Sequence, residues 1–333
     1  MSLVDLSAAA ALVGMIAYGI LGGADFGGGI WDLVATGPRK EERRQRIAEA
    51  MGPVWEANHV WLVFVVVVFF SSFPGAWAAY ATALATPLRL ALVGIALRGV
   101  AFVFRSYVPE RGPGKKRWGL VFGWASLLTP FVLGSSVGAI SSGRLRIEGL
   151  DVRFVEGPPW LDAVSIAMGL AAVSMCAHLA AVFLAVETRG ELQEDFRKRG
   201  LATWLLVVVG AAVTLPFTYF EAPHLFHALT SVRLLPIVLM GCAGGLVGGF
   251  ALSRRRYVAA RLGVVVGVAS LIVGWAAAQY PYLIYPDVTL AEAAAPEAML
   301  RFLLLSLPFG LAIVIPSIVL LFRVFKGDAA RVL

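Results

Sequence analysis

Long apolar runs, broken by short charged or Pro/Gly-rich segments, set the plan of the chain. Nine runs stand out, at about 5–34, 53–72, 84–108, 117–140, 161–187, 201–220, 232–253, 258–281 and 299–325. A run of about 20 residues rising 1.5 Å each spans the roughly 30 Å hydrocarbon core of a bilayer, so the pattern predicts about nine transmembrane helices. Ser71-Ser72-Phe73-Pro74-Gly75 breaks the second run, and the apolar residues from there to Pro87 read as a turn and an interfacial approach to the third span. Gly19, Gly23 and Gly27 recur every four residues, as do Gly241, Gly245 and Gly249, a spacing that lets helix backbones approach closely. No tandem repeat is evident.

Composition strengthens this picture. The chain is 59% hydrophobic and 15% charged, against roughly 45–50% and 25% for a soluble domain. Its 333 residues leave no room for a separate soluble domain. The formal charge of +7 raises a nucleic-acid reading, but the position of the charge excludes it. Segments 39–46, 105–117, 189–199, 254–261 and 323–331 hold 21 of the 28 Lys and Arg residues. They follow every second span and so fall on one side of the membrane, which predicts an external N-terminus, a cytoplasmic C-terminus and no nucleic-acid partner. Met1 to Asp5 lacks a positive region, so the first run reads as a retained span. Cys176 and Cys242 lie inside apolar runs without CxxC spacing and read as small core residues. Gly22–Gly29 is not a dinucleotide fingerprint, because that motif needs a preceding strand.

An ionisable side chain inside a span costs roughly 3 kcal/mol or more unless it is paired or wet, so each one is a candidate for function. Asp25 lies about nine residues before the cytoplasmic end of its span, roughly 13 Å deep at 1.5 Å per residue. Arg98 lies at a similar depth, and Asp25 and Arg98 read as a neutralising pair between neighbouring helices. Glu56, in Trp55-Glu56-Ala57-Asn58-His59, has no committed cation. It reads either as a partly buried carboxylate that exchanges protons beside Trp55, Asn58 and His59, or as an interfacial acid favoured by a helix N-terminus. His178 is mid-span but lacks a second axial candidate, so packing outweighs haem ligation. His224 and His227 read as exposed loop residues, and no metal site is expected.

Two stretches carry a family resemblance. Gly22-Gly23-Ala24-Asp25-Phe26-Gly27-Gly28-Gly29-Ile30-Trp31-Asp32-Leu33, followed by Gly52-Pro53-Val54-Trp55-Glu56-Ala57-Asn58-His59-Val60-Trp61-Leu62 and a Phe73-Pro74 break, resembles subunit II of the cytochrome bd-type quinol oxidases. Leu97-Arg98-Gly99 to Ser106, Glu187 to Leu192 and Tyr280-Pro281-Tyr282 extend the likeness along nearly the whole chain. Ala57 and His59 depart from it, where glycine and a glutamate or glutamine are more usual.

The resemblance implies an all-α integral membrane protein of two four-helix bundles and one peripheral helix, with approximate halves 1–140 and 161–325. It implies a heterodimer with a haem-bearing subunit I in a prokaryotic inner membrane, amid lipid and with room for a small accessory subunit. Haem b, haem d and the oxygen-reducing centre would sit in that partner, quinol would be the substrate of the complex, and this chain would bind no cofactor. Its own part would be assembly, haem retention in the partner, and a cytoplasmic proton path at Glu56, with Asp25 and Arg98 structural. The alternative is a proton-coupled secondary transporter binding substrate at Asp25 and Arg98. That reading expects inverted repeats and helices broken at corresponding positions. Only Pro130 and Pro216 could correspond, and no paired segments are found.

Overall fold

A computed structural model describes residues 2–108, 113–148 and 151–326. Its helices are α1 (Leu3–Leu33), α2 (Lys40–Ser72), α3 (Pro74–Ala83), α4 (Ala85–Tyr107), α5 (Pro113–Ser141), α6 (Ala163–Glu187), α7 (Gly190–Glu221), α8 (Pro223–Leu229), α9 (Leu235–Ser253), α10 (Tyr257–Gln279) and α11 (Glu297–Lys326). Among the described residues nine of these are long and apolar enough to cross a membrane, all but the short α3 and α8. Two small hairpins, β1 (Leu145–Glu148) with β2 (Asp151–Phe154) and β3 (Tyr282–Ile284) with β4 (Val288–Thr289), are the departures from an all-α fold.

Helices α2 and α7 start about a dozen residues before the spans that hydropathy delimits. The segments 40–52 and 190–200 are helical although charged. Their Glu, Arg, Gln, Lys and Ala residues are strong helix formers, and Arg46–Glu49 and Arg197–Glu194 add ion pairs one turn apart at 2.9 and 2.6 Å. Hydropathy sees only the apolar part of such a helix.

The order of elements repeats. In α1–α5 and again in α6–α10, two long helices are followed by a short helix that opens on proline, then by two more spans. The residue before that proline has nearly the same backbone conformation in both halves, φ −135° and ψ 60° at Phe73, φ −136° and ψ 58° at Ala222. So the chain does contain a repeat, which similarity along the sequence did not reveal. Each half makes four crossings, so both run through the membrane in the same direction. That differs from the inverted arrangement expected of many transporters.

The halves meet where α1 and α5 pack on α6. A Cβ at Gly27 would stand 1.9 Å from the Cys176 carbonyl oxygen and one at Gly23 2.8 Å from Leu179, so these glycines are what permits the contact. On α9 the seam differs from the expected one. Gly241 faces α10 at Ser270 as expected, but Gly244 and Gly248 make the closer approach to the α10 backbone, at Gly263, whereas Gly245 faces open space and Gly249 faces Trp204. Helix α11 lies against α1 and α2 with most of its surface exposed.

Other expectations are corrected by position. Cys176 is buried, but Cys242 is exposed on α9, not in the core. His224 and His227 stand on α8, not in a loop, because Pro223 starts a helix there. His227 is exposed, while the His224 ring packs 4.1 Å from that of Tyr285.

Candidate functional site

Helices α1 and α4 run in the same direction, and α1 brings its glycine-rich segment against α2, α5 and α6. Asp25 projects into this junction and is 1% exposed, while Arg98, from α4, is 3% exposed. The guanidinium grips the carboxylate at both oxygens, Nη1 to Oδ2 at 2.7 Å and Nη2 to Oδ1 at 2.5 Å, and Nη2 also donates to the Asp25 carbonyl at 2.9 Å. Nε donates to Ser126 Oγ at 2.9 Å, and the Phe26 and Phe122 rings flank the cation at 5.0 and 4.8 Å. Asn58 on α2 donates from Nδ2 to Asp25 Oδ2 at 2.6 Å. A Cβ at Gly29 would stand 2.0 Å from Ser126 Oγ, so that glycine makes room for the hydroxyl that holds Arg98. A buried ion pair is viable only with this degree of hydrogen-bond satisfaction, and the expected pairing of Asp25 with Arg98 is present.

Seven residues further along each helix the arrangement recurs. Arg105 donates to Asp32, Nη1 to Oδ2 at 2.8 Å and Nη2 to Oδ1 at 3.0 Å. Arg44 of α2 approaches the same carboxylate at 3.8 Å and donates from Nε to the Asp32 carbonyl at 3.3 Å. Sequence reading missed this second pair, since Asp32 and Arg105 stand at the ends of apolar runs and look like loop charges. The signal available was the shared spacing, two helical turns on both chains of residues.

The Glu56 cluster does not assemble as expected. Asn58 is buried against Asp25, whereas Glu56 is exposed on the outer face of α2. A helix turns about 100° per residue, so positions 56 and 58 point nearly opposite ways. His59 is half-buried with Nδ1 2.7 Å from the Trp55 carbonyl. A carbonyl only accepts, so Nδ1 carries a proton. The Trp55 ring meets His59 edge-on at 4.9 Å and stacks on Phe102 at 5.9 Å.

A cavity of about 260 Å³ opens among Glu41, Arg44, Gln45 and Lys115 at the basic end and is lined further in by Asp32, Arg105, Asp25, Arg98 and Trp55. Glu56 is not among its lining residues. On the other half, His178 is 3% exposed. Its Nδ1 lies 3.1 Å from the Gly200 carbonyl and 3.4 Å from Thr203 Oγ1, contacts that tie α6 to α7. Among the described residues no three His, Cys, Asp or Glu side chains converge at metal-binding distance.

Residues 3–325 match the family model described as cytochrome bd terminal oxidase subunit II. The chain is 24% identical over 325 residues to the putative cytochrome bd menaquinol oxidase subunit II of Bacillus subtilis (strain 168), covering 93% of this chain and 92% of that protein. It is 31% identical over 212 residues to the cytochrome bd ubiquinol oxidase subunit 2 of the same organism, covering 64% and 61% respectively. The cytochrome bd-I ubiquinol oxidase subunit 2 of Escherichia coli (strain K12) is 27% identical over 211 residues, covering 60% and 51%. The fold superimposes on a chain of the bd oxidase from Geobacillus thermodenitrificans with a TM-score of 0.83 at 24% identity, covering 98% of this chain and all of that one. With the family model spanning nearly its full length and, among the described residues, nine helices long and apolar enough to cross a membrane in the same fold, the chain belongs to the cytochrome bd terminal oxidase subunit II family.

Proposed function

We propose that this chain is the haem-free member of a heterodimeric quinol oxidase and that it serves its partner in two ways, by holding the assembly together and by conducting protons. As subunit II of a bd-type quinol oxidase it implies a partner oxidase subunit. That partner would carry haem b, haem d, the quinol site and the oxygen-reducing centre. Reduction of O2 to two waters consumes four protons along with four electrons, so a proton route to a dry centre is required.

The observation that carries the reading is Glu56. It lies one helical turn or less from the depth of the buried Asp25, Arg98 and Asn58, yet it is exposed on the surface of the isolated chain. A carboxylate facing lipid at that depth would cost roughly 3 kcal/mol. A polar partner surface removes that cost, so the α2 face bearing Glu56 is assigned to the haem-bearing subunit. Glu56 then exchanges protons beside His59, Trp55 screens them, and Asn58 ties the same helix to Asp25. Asp25 and Arg98 are structural.

The basic end is assigned to the cytoplasm by the charge asymmetry, which puts the N-terminus outside and the C-terminus inside. The halves 1–140 and 161–325 are taken as the two bundles, the second with the peripheral α11.

The test is turnover of the purified complex. Glu56→Gln is expected to lose quinol oxidase activity with the haem spectrum intact, and Asp25→Asn to lower the yield of complex without changing turnover per complex. Normal turnover in Glu56→Gln removes that residue from the proton route.

A further inference from the structure

Asp25 fixes which way two helices face. Asn58 of α2 and Arg98 of α4 both donate to its carboxylate, and the two helices touch where Trp55 stacks on Phe102 and lies 3.6 Å from where a Cβ at Gly99 would stand. Helices α2 and α4 thus form a layer with one side on α1. A helix turns about 100° per residue. Glu56 is two residues from Asn58, about 200° round α2, and Arg89 is nine residues from Arg98, about two and a half turns along α4 and so on its opposite side. Both are exposed. Two charges of opposite sign therefore emerge on the side of the layer that faces away from α1, with Arg89 about 13 Å further than Arg98 from the basic end.

Nothing within the chain accounts for a cation at position 89. Among the described residues Arg89 makes no hydrogen bond and no ion pair. It emerges between Leu92 and Val93, which are 66% and 53% exposed. It stands in the second turn of α4, toward the positive end of the helix dipole, where a cation is not favoured. It also lies in the half of the span away from the basic loops, against the charge asymmetry of the rest of the chain. Titration offers no escape from that placement. A carboxylate such as Glu56 can take a proton and become neutral, whereas a guanidinium keeps its charge. Once this face is covered, Arg89 needs an anion opposite it.

We propose that Arg89 is a docking site for a carboxylate of the partner oxidase subunit, in the half of the membrane away from the basic loops. The proposal rests on the reading that the α2 face bearing Glu56 is covered by that subunit, since Arg89 stands on the same side of the same layer. The planar guanidinium takes a carboxylate at both oxygens, whether that group is an Asp or Glu side chain of the partner or a propionate of a haem bound there. The contact also sets how the subunits seat. A partner displaced along α4 by one helical turn, about 5.4 Å, leaves Arg89 facing apolar surface, so the wrong register carries an unpaired charge.

The test uses the intact complex, purified through a tag on this chain and quantified by haem absorbance. Arg89→Glu is expected to lower the haem recovered per tagged chain at least about tenfold, the scale on which like charges brought together disrupt an interface. Arg89→Lys keeps the charge and is expected to keep the complex. Treated in the membrane with a hydrophobic carbodiimide, the amine of that variant is expected to condense with the carboxylate it touches. An amide to a partner peptide identifies a side chain and an amide to haem identifies a propionate, and both support the proposal. Parent-level haem recovery in Arg89→Glu overturns it, and does so in favour of a lipid headgroup where copurifying anionic phospholipid is lost. Should the amount of tagged chain in the membrane fall as well, the linkage in Arg89→Lys decides, and its absence overturns the proposal. Parent-level recovery in Arg89→Glu with lost turnover in Glu56→Gln overturns the docking site and keeps the reading of Glu56. Lost recovery in Arg89→Glu with normal turnover in Glu56→Gln keeps the docking site and removes Glu56 from the proton route.

Discussion

Arg105 meets Asp32 as Arg98 meets Asp25: both pairs join α4 to α1, both are bidentate, and both are 73 residues apart in sequence. Parallel helices with matched seven-residue spacing on each put one acid opposite one guanidinium at two successive levels. The levels differ in what else is present. At the deeper one, Asn58, Ser126 and two phenyl rings complete the shell of a pair that solvent scarcely reaches. At the outer one, Arg44 stands by as a second cation and the Arg105 side chain is 18% exposed.

The deeper pair predicts strong non-additivity. Removing one partner of a buried ion pair costs about 3–5 kcal/mol because the other is left as an uncompensated charge. Asp25→Leu and Arg98→Met should each sharply reduce the amount of complex recovered from the membrane. The double variant should recover more than either single one, as judged by complex yield on native gels. A double variant no better than the worse single one would show that Asp25 or Arg98 has a role apart from the other.

The outer pair should behave differently because Asp32 has two cations. Arg105→Met leaves Arg44 within 3.8 Å of the carboxylate, so its cost should be about 1.5–3 kcal/mol, in the range of a single hydrogen bond to a charged group. Combining it with Arg44→Met strands a carboxylate that is 2% exposed. The thermal stability lost by the double variant should exceed the sum of the two single losses, the signature of a shared partner.

How much of this was legible in the sequence depends on what each feature needs. The spans are readable because an apolar run of sufficient length has one fate in a bilayer. Asp25 and Arg98 are readable as partners because each is a lone charge deep in such a run. Asp32 and Arg105 sit where a run ends, and a charge there has an ordinary explanation in the interface. The side of α2 on which Glu56 emerges depends on how the helix is rotated in the bundle, which is fixed by Asn58 reaching Asp25 and not by anything local. The repeat escapes notice because it lies in the order of long and short helices and in the break at Phe73 and Ala222, not in residue identity.

The glycines divide by what faces them. Gly27→Ala would push a methyl against the backbone of α6 at Cys176, where no side chain can rotate away, so it should separate α1 from α6 and abolish stable complex. Gly245→Ala meets nothing within 4 Å and replaces a poor helix former by a good one, a gain of up to about 1 kcal/mol. Melting temperatures of the detergent-solubilised complex should fall or be unmeasurable for the first and hold or rise for the second. Equal effects would mean that the α1–α6 seam is not the close contact described.

Two carboxylates at the end opposite the basic loops are shifted in opposite directions, which gives stability a pH dependence of predictable sign. Asp287 accepts from Arg146 at 2.7 and 2.8 Å and from the Ile147 N–H at 2.8 Å, and the Arg146 contact holds its carboxyl below the ordinary range. A depressed carboxylate contributes stability that is present above its unfolded value of about 3.9 and is lost as pH falls through the folded one. Asp162 caps α6 through Oδ1, on the Ser165 N–H at 2.8 Å, while Oδ2 is buried without a partner, and burial raises its carboxyl. Here the folded state prefers the proton, so the contribution is present below about 3.9 and is lost as pH rises through the folded value. Asp287→Asn should therefore speed amide hydrogen exchange in the 145–148 strand at neutral pH, with the difference from the parent shrinking as pH falls below 4 once intrinsic exchange rates are divided out. Asp162→Asn keeps an oxygen for the cap and removes the unpartnered charge, so it should slow exchange at the start of α6 at neutral pH, whereas Asp162→Ala, losing the cap, should cost about 1 kcal/mol there. Faster exchange in Asp162→Asn would mean that the ionised carboxylate is favoured at that helix end after all.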